Sequence, residues 1–240
     1  MNRCAGDNPG EPIATDPPYI LEVGCGDGRL AELLVDQGFR LLGVDSEPSA
    51  VDLARARGLA AECAEWPNLD LPTATRFDLI LFTRSLHHIS DVEGGVRRAR
   101  ELLRPRGSLV VEDLALEDMD HSWAAWLAER ARSREVRGEF RPDRFLEALM
   151  SSPSPLGEWR REHDHEPALH DARAMREAVE ANFVDVRQAR VPYLFRYLLD
   201  GLEQTAGGAS LAHEEQRREV DAAEGHLRPL IGARFVARVP

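Results

Sequence analysis

Three glycines alternate at Gly24, Gly26 and Gly28 behind the apolar run Tyr19-Ile20-Leu21-Glu22-Val23, and a helical pattern begins at Arg29. Glycine reaches positive φ and carries no Cβ, so a turn built this way lets a ligand lie against the main chain. The helix that follows aims free N–H groups and a partial positive charge at that turn, which suits a carboxylate or a phosphate. A tight βα turn with no ligand would use the same glycines, so the neighbouring residues must decide. Asp45 closes the next apolar run, where a carboxylate can accept from both hydroxyls of a ribose; it would also suit a turn ahead of Ser46. A dinucleotide fingerprint places its third glycine three residues after the second. Here that position is Arg29, which weighs against a nicotinamide-dependent oxidoreductase.

A second group of chemically able residues is Thr83-Arg84-Ser85-Leu86-His87-His88, behind the strong apolar run Phe77–Phe82. His87 and His88 are candidate general bases, or hydrogen-bonding packing residues under the adjacent helix. A third is Trp159 to Glu166, which holds His163 and His165, with His170 beyond. Three histidines beside carboxylates could ligate a metal, but no regular element sets their directions, and no metal site is assigned. The stretch reads as a solvated loop, or as a lid whose His163 offers a base and whose His165 and His170 face substrate. Tyr193-Leu194-Phe195-Arg196-Tyr197 adds Tyr193 as core or substrate contact and Arg196 as an anchor for an anionic group. Trp123 and Trp126, three apart on one helix face, are packing residues or a substrate wall.

The elements that must position these groups alternate. Strands are expected at 19–23, 40–45, 59–62, 77–82 and 108–113, and helices at 27–37, 48–57 and from Asp91 to Leu103, broken by Pro105-Arg106-Gly107. Near-continuous apolar strands alternating with helices predict a parallel sheet covered on both faces, with ligands outside the carboxyl ends of its strands. Gly24–Gly28, Asp45, Cys63 and Thr83–His88 all follow strand ends, so they should meet in one crevice. Beyond Asp113 the spacing predicts helices at 119–134, from Pro142 or Asp143 to Met150, at 171–181, 193–203 and 213–226, and strands at 184–191 and 234–239. Residues 151–155 read as a loop and 159–170 as a stretch without clear period. The expected organisation is a flexible leader at 1–18 and a single domain at 19–240, with a lid inserted at about 114–172.

Composition bounds the partners. The 240 residues carry a formal charge of −12, a poor match to nucleic acid or an anionic membrane surface, and no apolar run approaches spanning length. Cys4, Cys25 and Cys63 form neither a disulfide framework nor a CxxC pair, so a reducing cytoplasm is the expected location. All 30 basic residues are arginine, so no lysine is present to form a Schiff base.

At these residues the chain resembles the class I S-adenosylmethionine-dependent methyltransferases. Glu22-Val23-Gly24-Cys25-Gly26-Asp27-Gly28 is similar to their first motif and Gly43-Val44-Asp45 to their second. Phe77–Leu81 and Leu102–Leu109 are similar to the later core strands and their connection, so the likeness covers roughly residues 19–115. It implies a Rossmann-like, doubly wound α/β sheet of seven strands, mostly parallel with an antiparallel edge strand. It also implies S-adenosylmethionine as cofactor and methyl transfer to a small-molecule oxygen, nitrogen or carbon. By the same likeness Glu22, Gly24, Cys25, Gly26 and Gly28 would hold the methionine part, and Asp45, with Ser46 beside it, the ribose. Cys63-Ala64, with the Ala64 N–H, would meet the adenine, and Thr83 lies at the same crevice. The family often has an acid and a small residue where Cys63-Ala64 stands. The signature Asn-Pro-Pro-Tyr is absent, which argues against DNA adenine or protein glutamine as acceptor. The alternative is a protein of this fold that binds the cofactor without transferring its methyl group.

Overall fold

A computed structural model describes residues 16–164, 168–226 and 229–239. Most of the expected leader at 1–18 lies outside them, as do Cys4 and His165. The strands are β1 (Tyr19–Val23), β2 (Arg40–Asp45), β3 (Ala61–Cys63), β4 (Phe77–Thr83), β5 (Leu103–Leu114), β6 (Val184–Val191) and β7 (Gly232–Arg238). They form one seven-stranded sheet in the order β3-β2-β1-β4-β5-β7-β6. The first five run parallel; β7 runs antiparallel to both of its neighbours, β5 and the edge strand β6. Strand order reverses between β1 and β4, which opens a crevice above their carboxyl ends.

Strands β1 and β4 are apolar on both faces because both faces are covered. Helices α1 (Arg29–Asp36), α2 (Pro48–Ala56) and α3 (Val92–Leu102) connect the parallel strands. Ala31 of α1 packs on Ile20, Leu41 and Leu81, while Val96 and Ala99 of α3 join Leu21, Phe82 and Leu109 on the opposite side. Helix starts follow side-chain chemistry. Asp91 accepts the Gly94 N–H at 2.8 Å, closing one of the first-turn donors that a helix leaves unmet.

Three places differ from expectation by more than two residues. Strand β5 begins at Leu103 instead of Ser108: Leu103 pairs with Phe77, then the register shifts to Leu79 opposite Ser108, and Arg106 sits at φ 65° in the bulge. The expected break is therefore a kink within one strand. A helix at Pro155–Glu162 occupies the stretch read as aperiodic, capped by Ser154, whose Oγ accepts the Gly157 N–H at 3.3 Å. The last helix starts at Gly208, five residues before His213.

Beyond β5, helices α4 (His121–Val136), α5 (Arg144–Ser151) and α6 (Pro155–Glu162) precede α7 (Ala172–Asn182), which returns to the sheet beside α3. Helices α8 (Phe195–Glu203) and α9 (Gly208–His226) lie between β6 and β7. The single lid expected at 114–172 is thus half of a larger cap. Trp123, Leu127, Leu149 and Trp159 from the first insertion share one core with Leu194, Leu198 and Leu202 from the second. An ion-pair network ties the two halves. Buried Arg134 reaches Glu215, Glu214 and Glu139 at 2.8, 2.8 and 2.7 Å, and Arg130 grips the buried Glu215 carboxylate with two bonds of 2.8 and 2.9 Å.

Candidate functional site

The glycine turn sits at the mouth of the crevice as the sequence requires. Gly24, Gly26 and Gly28 have φ of 74°, 55° and 82°. A Cβ on Gly24 would stand 2.3 Å from the Cβ of Ser85, so the loop after β4 is pressed against the turn. Ser85 holds that approach by donating its hydroxyl to the Val23 carbonyl at 2.6 Å. Gly28 does the work of a third fingerprint glycine by another route, since a Cβ there would meet Leu59 and Ala54 at 2.4 and 3.1 Å. Asp45 stitches the turn to the second strand. Its Oδ2 accepts the Gly26 N–H at 2.8 Å and its Oδ1 the Glu47 N–H at 3.0 Å. Each carboxylate oxygen keeps acceptor capacity beyond these bonds.

The cleft beside this turn is lined by Gly24, Asp45, Ser46, Ala64, Trp66 and His88, together with Arg84, Ser85 and Ile89. Trp66 and Ile89 are residues the sequence reading missed. Trp66 lies on an irregular stretch without periodicity, and its position is set by tertiary bonding: its buried indole N–H donates to the Gly95 carbonyl at 3.0 Å. The expectation for Ala64 needs correction, because its N–H donates to the Asp45 carbonyl at 3.0 Å and is already committed. The Cys63 side chain is exposed, its Sγ 3.9 Å from the Ser46 carbonyl oxygen. Cys25 is buried beside Gly43, and burial together with Glu22 and Asp45 pushes its thiol up to about 12, so it is inert at neutral pH.

Below the turn, Glu22 is almost wholly buried. It takes the Thr83 hydroxyl on Oε1 at 3.3 Å, and its Oε2 has no partner among the described residues. Burial raises its pKa to about 7; the Thr83 bond opposes this and Asp45 adds to it. A buried carboxylate oxygen without a donor asks for one from outside the chain.

The histidines separate into different environments. His87 is buried, with Nδ1 2.5 Å from Oδ1 of the fully buried Asp113 on β5. Asp113 also accepts the His87 and Leu114 backbone N–H groups at 3.2 and 2.8 Å. The two groups approach closely, but the His87 Nδ1 makes no hydrogen bond of good geometry, so the contact is one of position and does not fix the ring proton. His88, its ring 4.0 Å from that of His87, is exposed and lines the cleft. His163 closes α6. Its Nδ1 meets the Trp159 carbonyl at 2.8 Å and its Nε2 the Tyr197 hydroxyl at 2.8 Å, while its ring stacks on Trp159. Both nitrogens are occupied, so the lone-base role expected of it does not fit this geometry. His170 stands apart, its N–H donating to the His87 carbonyl at 3.0 Å and its Nε2 3.4 Å from the Ser90 carbonyl oxygen. Among the described residues no group of three or more His, Cys, Asp or Glu side chains could hold a metal ion.

The remaining expected substrate residues are internal. Trp123 is packed in the cap core, its indole N–H on the Pro229 carbonyl at 3.2 Å. Tyr193 is buried; burial, with Asp113 adding, raises its pKa, and the nearby Arg84 opposes this. Arg196 is paired with Glu112, which also holds Arg234. That pairing removes Arg196 as a free anchor for an anionic substrate.

A doubly wound sheet with one inserted antiparallel strand, a glycine turn at its switch point and a carboxylate at the end of β2 define a class I S-adenosylmethionine-dependent methyltransferase, and S-adenosylmethionine is the cofactor. Residues 4–182 match the family model described as a methyltransferase domain, and the chain belongs to that family. It is 31% identical over 132 residues to a ubiquinone biosynthesis O-methyltransferase of Azorhizobium caulinodans, covering 53% of this chain and 52% of that protein. A second protein of that name, from Alkalilimnicola ehrlichii, is 29% identical over 154 residues, covering 60% of this chain and 59% of the relative. The chain spans about half the length of the curated relatives it matches. Phosphoethanolamine N-methyltransferase 2 of Haemonchus contortus, solved with S-adenosyl-L-methionine, shares the fold at a TM-score of 0.56 and 14% identity, over 95% of this chain and 50% of that one.

The residues present fit the cofactor. Gly26, at φ 55° with nothing within 4 Å of a Cβ, presents bare main chain, Asp45 retains acceptor capacity at the cleft, and beneath the turn the buried Glu22 Oε2 is without a partner among the described residues.

Proposed function

We propose that this protein transfers a methyl group from S-adenosylmethionine to a hydroxyl of a small molecule, with His87 as the base. The observation that carries this reading is the buried His87–Asp113 pair at the carboxyl ends of β4 and β5, next to the cofactor cleft. The names of the relatives, which are O-methyltransferases, support oxygen as the acceptor atom.

The cofactor supplies an electrophilic methyl group on a sulfonium, whose departure as a neutral thioether leaves no charge for the protein to stabilise. The chain's part is alignment, exclusion of water and removal of one proton. Asp45 would hold the ribose hydroxyls, the main chain at Gly24 and Gly26 the methionine carboxylate, and Glu22 its ammonium. Asp113 orients His87, so that Nε2 can take the acceptor's proton while the oxygen lone pair forms the new bond to carbon. Positioned bases of this kind contribute about 10²–10⁴-fold.

The test is transfer of labelled methyl from S-adenosylmethionine to a panel of phenols, aliphatic alcohols and amines, in wild type and His87→Asn. A labelled ether from wild type is expected, with the variant slowed about 100-fold at unchanged affinity for S-adenosylhomocysteine. Methylated amines alone, or an undiminished variant, would overturn the role of His87. Cofactor binding with no labelled product from any acceptor would overturn methyl transfer itself.

A further inference from the structure

Arg29 is the first residue of α1, and local chemistry argues against it there. Gly28 offers no side chain to cap the helix, and the positive end of the helix dipole disfavours a cation in the first turn. The guanidinium is satisfied from far along the chain instead. Its Nη1 donates to Asp200 Oδ1 at 2.9 Å and to Glu203 Oε2 at 2.7 Å, both on α8 of the cap, while its Nε donates to Asp27 Oδ2 at 3.0 Å within the glycine turn. Arg57 braces the same turn from the end of α2, through the Asp27 carbonyl at 2.9 Å and Glu32 at 3.0 Å. Asp200 and Glu203 have no other cation partner among the described residues.

The two ends of α8 stand on opposite banks of the crevice. Arg196, in its first turn, is paired with Glu112 near the carboxyl end of β5. Asp200 and Glu203, neighbours on one face of the helix, reach the residue that follows the β1 turn. Strand β4 separates β5 from β1, so α8 passes over the place where strand order reverses. The lengths agree. From Arg196 to Glu203 the helix rises about 10 Å, and two strand spacings amount to about 9.6 Å. The inner face of α8 is fixed in the cap: Leu198 and Leu202 are buried, and a Cβ on Gly201 would stand 2.2 Å from the Phe140 ring. Helix α8 is therefore a strap over the crevice, rooted in the cap and fastened to the glycine turn through Arg29.

We propose that the contact of Arg29 with Asp200 and Glu203 is the latch of a gate that sets how fast S-adenosylmethionine enters and its demethylated product leaves. None of the three residues lines the cofactor cleft, so undoing the latch removes no contact with the cofactor. Because protein groups alone make it, it closes an empty and a filled crevice alike, and opening it speeds arrival and departure together. Exposed ion pairs hold weakly and are screened by salt. Arg29 is half exposed and Asp200 largely so. A fastening that opens at every turnover needs that weakness. The inference uses the cofactor only and is independent of the acceptor and the base proposed above.

The test is stopped-flow binding of S-adenosylhomocysteine to the full chain, followed by tryptophan fluorescence, for which Trp66 on the cleft wall is a built-in reporter. In Arg29→Gln, and in Asp200→Asn combined with Glu203→Gln, association and dissociation should both quicken about fivefold, the weight of two exposed pairs, with their ratio unchanged. Raising salt from about 0.1 M to about 1 M shortens the screening length from about 10 Å to about 3 Å. That should quicken wild type toward the variants and leave the variants little changed. The charge swap Arg29→Glu with Glu203→Arg should restore slow exchange, which neither substitution does by itself. Arg98→Gln, which removes a comparably exposed pair on α3, should alter neither rate. Wild-type rates in both latch variants would overturn the proposal, as would a charge swap that exchanges as fast as its single variants. So would weaker binding carried by dissociation alone, since that would make Arg29 a cofactor contact and not a latch.

Discussion

Single residues carry the proposed cofactor chemistry, and each makes a measurable claim. Asp45 serves twice, as lock for the Gly26 and Glu47 amides and as proposed ribose acceptor. Asp45→Asn keeps the shape but loses the charge and part of the acceptor capacity; calorimetry should show S-adenosylhomocysteine binding weakened by about 2 kcal/mol. Gly24→Ala meets both a left-handed φ and Ser85, so thermal unfolding should report a loss of about 2 kcal/mol or more. Glu22 makes a pH claim. Its folded pKa, raised to about 7 from 4.5, means the folded chain binds a proton that the unfolded chain has already released. Stability of the ligand-free protein should therefore be unaffected by this group below pH 4.5 and fall by about 3 kcal/mol between there and pH 7. Denaturant titrations across that window should show the slope in wild type and its loss in Glu22→Gln. At this scale the sequence was informative wherever a residue type is forced by main-chain geometry. Gly24, Gly26, Gly28 and Asp45 could be placed from spacing alone. Trp66 and the committed Ala64 amide could not, because both depend on what the fold brings next to them.

Helices and strands were legible to the extent that their ends are written in local chemistry. Asp91, Asp143 and Asp171 each cap the helix expected after them, by accepting the N–H three residues on. Helix α6 escaped because five of its eight residues are Gly, Glu or Arg, which hide its period; Ser154-Pro155 was the signal, a cap followed by a first-turn proline. The start of α8 is different in kind. No side chain of its own caps it, and Glu219 of α9 instead accepts the N–H groups of Tyr193, Leu194 and Phe195 at 2.8, 3.1 and 3.0 Å. Nothing local in either helix announces this pairing. Glu219→Ala strands three donors in or near the core, and equilibrium unfolding should show a loss of about 3 kcal/mol or more. Glu219→Gln keeps one acceptor oxygen and should lose less.

Among the described residues two large cores share one sheet, with smaller clusters under α1 and α2. The first lies between the sheet and helices α3 and α7, the second inside the cap, with Leu114 at the end of β5 belonging to the latter. The cap half was legible only as a list of helices, since two insertions separated by α7 and β6 had to find each other in space. Their bond is the Arg134–Glu215 network, whose members are 81 residues apart. Glu215→Gln leaves two arginines short of a counter-charge in a dry setting, a loss of about 3–5 kcal/mol. Hydrogen exchange should then show the amides of α4 and α9 exchanging ahead of those of β1 and β4.

Strand β6 bears on how such molecules coexist in a crowded solution. Among the described residues it ends the sheet, eight residues long with no strand beyond it, a row of main-chain donors and acceptors on which another copy could grow a continuous ribbon. Asp185 at φ 52° kinks its first turn out of register, and the charged Arg187 and Arg190 stand out along it. Those features make the border hostile to self-templating, the means by which open sheet edges are kept from pairing with one another.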